Sequence, residues 1–79
     1  MKLNVFGKEV EVIRNNNSWV VYYCGNEGKK RIAHDIKLPA NLPESDVVTY
    51  IDDLCHEWAT PNNSEVKVLK STVYETDSR

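Results

Sequence analysis

The chain has 79 residues, 41% of them hydrophobic, with ten Lys/Arg against twelve Asp/Glu for a net charge of −2; that is enough for one domain with one small core. No segment nears the about 20 consecutive apolar residues of a membrane-spanning helix, and two cysteines, Cys24 and Cys55, are too few for a disulfide scaffold. A chain whose main task is to grip phosphates ordinarily carries a positive balance, so nucleic-acid binding is left to local patches.

The net charge hides an asymmetry: residues 1–40 carry seven Lys/Arg and four acids, residues 41–79 three and eight. At the N-terminus, Lys8 and Glu9 interrupt "MKLNVFGKEV" before any signal-peptide-like apolar run develops. The expectation is a cytoplasmic protein with no membrane partner and both thiols reduced.

In chain order, "KLNVF" and "EVEVIR" alternate apolar and polar residues around Gly7-Lys8, which reads as a two-residue hairpin turn. That register sets Val5 opposite Val10 and Leu3 opposite Val12. Leu3, Val5, Val10 and Val12 then share a core face, and Lys2, Asn4, Phe6, Glu9, Glu11 and Ile13 the other. "NNNS" is a second turn. "WVVYYC" (19–24) follows as a strand apolar on both faces, with Trp19, Val21 and Tyr23 toward the core if the loop has two or four residues. "GNEG" turns the chain again, and "KKRIAHDIKL" is a fourth strand, or a strand and an extended arm, ending at Pro39.

One helix follows "PANLPES". Asn41 with Glu44, or Ser45, supplies its N-cap, and Pro61 stops it after about Ala59. At about 100° per residue, Val47, Val48, Ile51, Leu54, Cys55 and Trp58 fall in one arc, opposite Thr49, Asp52, Asp53, His56 and Glu57. "EVKVLKSTVY" is a possible C-terminal edge strand. The predicted fold is α+β: an antiparallel meander of three to four strands with one amphipathic helix packed on one face. Residues 1–70 form the single domain, and 71–79 a frayed or partly ordered tail.

The adjacent Cys55 and His56 in "DLCHEW" invite a reactive or metal-binding reading. Neighbours on a helix point about 100° apart, so Cys55 faces the core and His56 the solvent. No CxxC or HxxxH spacing accompanies them, and no orienting carboxylate or oxyanion hole is legible. No catalytic residue, metal ligand or cofactor is expected.

"GNEGKKR" is the most suggestive polar stretch. Its glycines let backbone amides face an anion, and Lys29, Lys30 and Arg31 add charge. A basic hairpin that keeps a sheet edge soluble has the same composition. Over residues 18–58, aromatic strand, basic hairpin, strand and helix resemble the three-stranded sheet plus helix of integrase arm-binding and plant AP2-type DNA-binding domains. Those domains lay the sheet face into the major groove, where Glu9 and Glu11 would repel phosphates.

"YYCGNEGKKR" and "DLCHEWATP" together resemble a family of short uncharacterised bacterial proteins over about residues 1–70. The resemblance implies a bacterial cytoplasmic origin and no assigned activity.

The residues left over by the core are Ile13, Val20 and Tyr22, an apolar strip on the face away from the helix. Such strips mark protein contacts more often than chemistry. The expected function is a non-enzymatic protein-interaction module, homodimeric through that strip. Nucleic-acid binding through Lys29, Lys30 and Arg31 is the alternative, disfavoured by the two glutamates.

Overall fold

The computed structural model describes residues 1–25, 28–73 and 75–76, the last two by backbone alone. Its strands are β1 (Lys2–Val5), β2 (Lys8–Asn15), β3 (Ser18–Cys24), β4 (Lys30–Ile32), β5 (Val66–Lys70) and the two-residue β6 (Glu75–Thr76). The sheet runs β4-β3-β2-β1-β5, antiparallel at every step, with β6 parallel to the end of β2. The α+β class holds, but this path has five strands rather than three to four. The C-terminal edge strand is present as β5, beside β1.

The first hairpin turns one residue earlier than expected, which slips the strand register by two. Phe6 and Gly7 form the loop, both at positive φ (49° and 94°), as a type I′ hairpin turn requires. Asn4 Oδ1 accepts the Gly7 N–H at 2.7 Å. Leu3 therefore pairs with Val10, and Val5 with Lys8. A slip of two preserves parity, so Leu3, Val5, Val10 and Val12 still point into the core, each fully buried. Phe6 departs from the expectation. Its left-handed backbone ends the alternation of β1, and its ring is buried in the core rather than on the outer face. That burial offsets the roughly 1–2 kcal/mol cost of the backbone conformation.

The second hairpin matches its two-residue reading. Asn16, at φ 56°, and Asn17 form the loop, with Asn15 opposite Ser18 and Val12 opposite Val21. After β4 the chain becomes an extended arm that tucks Ala33 and Ile36 into the core and lays Leu38 and Leu42 against it. The Trp19 indole N–H donates to Leu42 O at 2.9 Å, and the Tyr23 hydroxyl donates to the Asp35 carboxylate at 2.7 Å.

The helix is shorter than its apolar pattern predicts. α1 spans Val47–Cys55, between single 3₁₀ turns at Glu44–Asp46 and His56–Trp58. Neither Asn41 nor Ser45 caps it. Pro43 enters extended, and the Asp46 N–H donates to Pro43 O at 2.9 Å, so a backbone turn replaces the side-chain cap. Val47, Ile51 and Cys55 are buried against the sheet. Leu54, expected in the same arc, is 44% exposed. It lies about 60° from Ile51, and α1 packs mainly on β1 and β5, so its flank overhangs the sheet.

Past β5 the chain crosses the end of β1 to reach β2, where Glu75 pairs with Arg14 and Thr76 with Asn15. Met1 is buried, and its ammonium donates to Val12 O at 3.0 Å. Desolvation lowers the pKa of that amine. Of the expected C-terminal tail, Tyr74 and residues 77–79 lie outside the described residues.

Candidate functional site: the outer face of the sheet

Strand alternation sorts side chains between the helix side and the outer face. One row of cross-strand neighbours on the outer face reads Ile32, Tyr22, Glu11, Lys2, Lys70 from β4 to β5. Ile13 and Val20 pair directly in the next row. Glu9, Asn4 and Lys67 lie in the row on the other side, where Lys30 pairs with Cys24. The face is thus divided: apolar over the ends of β2, β3 and β4, and cationic over β1 and β5.

The expected strip is brought together, with Ile13, Val20 and Tyr22 contiguous and half-buried. Ile32, 51% exposed beside Tyr22, extends it. Sequence reasoning missed Ile32 because the limits of β4 were open. Its signal is the Lys30/Arg31/Ile32 alternation, legible once β4 is paired with β3. Among the described residues β6 joins the plane of the sheet at Arg14 and Asn15, leaving the strip uncovered.

The basic triplet is not brought together. Lys30 crosses β3 to ion-pair with Glu11 on β2. Arg31 pairs with Tyr23 and so faces the helix side, and Lys29 stands exposed before β4. Glu11 is 4% exposed, and the hydrogen bond from Lys30 holds its carboxyl below the ordinary carboxylate range despite burial. The same bond raises the pKa of Lys30. Lys30 thus serves an internal carboxylate, which answers much of the repulsion expected from Glu11; Glu9 stays exposed on the face.

The opposite surface of the domain is the exposed side of α1 and its flanking 3₁₀ turns, carrying Asp46, Asp53 and Glu57, with Asp52 half-buried beside them. Lys2, Lys67 and Lys70 on the outer face thus stand opposite an acidic surface, although two of these lysines come from the acidic half of the chain.

Cys55 is buried and His56 exposed, with His56 Nδ1 3.6 Å from Asp52 and its ring edge-on to Phe6 at 6.0 Å. Among the described residues no three His, Cys, Asp or Glu side chains converge as a metal-ligand set. Both thiols are free, and burial raises the pKa of each, with Cys55 buried and Cys24 partly open on the outer face. Under native conditions a maleimide reagent is expected to label Cys24 slowly and Cys55 only after urea unfolding. Equal labelling rates in the folded protein would contradict this placement.

A family model described as a domain of unknown function (DUF7661) matches residues 1–70. The chain belongs to this family. The match ends at the last residue of β5, so it takes in the outer face and α1 and leaves β6 outside. No curated protein and no solved structure matches the chain.

Proposed function

We propose that the protein is a non-enzymatic interaction module of the bacterial cytoplasm that self-associates through the outer face of its sheet. The observation that carries this reading is the contiguous patch of Ile13, Val20, Tyr22 and Ile32, on the face away from α1 and uncovered by any described residue. A domain of this size gains stability by burying such a patch against a copy of itself. Two free thiols suit a reducing compartment.

Sedimentation velocity over a concentration series tests it. Wild type is expected to self-associate, while Tyr22→Glu stays monomeric with an unchanged circular-dichroism spectrum. A wild-type monomer at every concentration overturns the reading.

A second reading, nucleic-acid or other anion contact, is favoured by one feature. A hollow of about 630 Å³ beside β4 is lined by Lys29, Arg31 and His34, together with Tyr23 and Asp35. Its mark is binding that weakens steeply with salt and is lost in a Lys29→Glu/Arg31→Glu variant.

A further inference from the structure

We infer that the outer sheet face docks on the acidic outer side of α1 of a second copy, head to tail, rather than on another sheet face. This rests on the reading above that the sheet face self-associates, and it adds what that face binds.

The cationic half of the sheet face argues against stacking it on itself. With a two-fold axis across the strands, β1 and β5 lie over their own copies, so that the lysines of these strands face lysines. With the axis along the strands and all five strands covered, Lys2 lies over Tyr22 and Lys67 over Lys30, desolvated without a free counter-charge. An overlap confined to β2, β3 and β4 spares the lysines. It covers a plate of only roughly 14 by 17 Å, well short of the ~800 Å² per partner of a stable interface.

The exposed side of α1 has the complementary character. Asp53 on the helix and Asp46 and Glu57 on its flanking 3₁₀ turns lie along it, and Tyr50 and Leu54 border them as a half-buried and an exposed apolar residue one turn apart. Acids placed against Lys2 and Lys67, with Leu54 against the strip around Tyr22, match charge to charge and apolar to apolar. Each copy has one surface of each kind. The contact is therefore heterologous, and it extends beyond a dimer as concentration rises.

The test is sedimentation velocity at low and high salt on wild type, Lys2→Glu/Lys67→Glu, Asp53→Lys/Glu57→Lys, and the variant carrying all four changes. The expected result is association of wild type that grows past the dimer and weakens with salt. Each double variant is expected to be monomeric, with at least tenfold weaker association, and the fourfold variant, with both surfaces reversed, to associate again. That restoration separates lost docking from lost folding. A stable dimer unaffected by Asp53→Lys/Glu57→Lys overturns the head-to-tail contact while leaving self-association through the sheet. Failure of the fourfold variant to recover overturns it as well. A wild-type monomer throughout overturns both readings.

Discussion

Ile51→Ala is expected to cost about 2–5 kcal/mol, the range for deleting most of a fully buried aliphatic side chain. Ile51 is fully buried midway along α1, between Val47 and Cys55. A nine-residue helix is too short to hold its conformation without tertiary packing. A domain of 79 residues has a total margin of roughly 4–12 kcal/mol, so this one truncation removes a large share of it. The melting temperature should fall by about 10 °C or more, read by far-ultraviolet circular dichroism. Leu54→Ala, on the overhanging flank of the same helix, should stay within about 0.5 kcal/mol of wild type. Equal losses from the two substitutions would mean that the helix is seated differently.

Lys30→Met should have the second-largest effect, because it leaves the buried Glu11 carboxylate without its partner. A fall of roughly 5–10 °C in melting temperature near neutral pH is expected. Replacing both partners, as Glu11→Leu/Lys30→Met, should recover most of it, since an apolar pair carries no uncompensated charge.

The pH dependence gives an independent check. In wild type the Lys30 hydrogen bond holds the folded pKa of Glu11 below its ordinary 4.5. The stabilisation is therefore complete above about pH 4.5 and lost as pH falls through the depressed folded value. Without Lys30, burial is the main influence left, and it raises the pKa. The gap between wild type and Lys30→Met should thus be widest near neutrality and narrow on acidification, first as pH falls through the raised pKa of the variant and then further below about pH 4.5. A gap that does not change with pH would mean that the pair contributes nothing through its charge.

How far the structure was legible from the chain depends on the range of the interactions. The core face of the first three strands was legible because alternation is a property of each strand alone. The hairpin turns at Phe6-Gly7 instead of Gly7-Lys8, yet a slip of two leaves the paired residues of both strands on their predicted faces. Phe6 itself was misplaced because alternation stops where φ becomes positive. On the helix, periodicity identified Val47, Ile51 and Cys55, but it could not see that the sheet beneath supports too narrow a stripe to cover Leu54. The candidate contact residues divide the same way. Ile13, Val20 and Tyr22 follow from parity, whereas Ile32 joins them only through its pairing with Tyr22.

The sequence by itself determined the alternation of the strands, the apolar line of the helix and the excess of acid in the second half, since each rests on neighbours within a few residues. Only the tertiary structure decided that β5 lies beside β1, bringing Lys67 near Asn4 and Lys70 near Lys2, and that Lys30 is spent on Glu11 rather than on a ligand. Pairings between residues some sixty positions apart leave no local periodicity to read. A charge that reaches across a whole strand to its partner is fixed by the order of the strands, not by its neighbours in the chain.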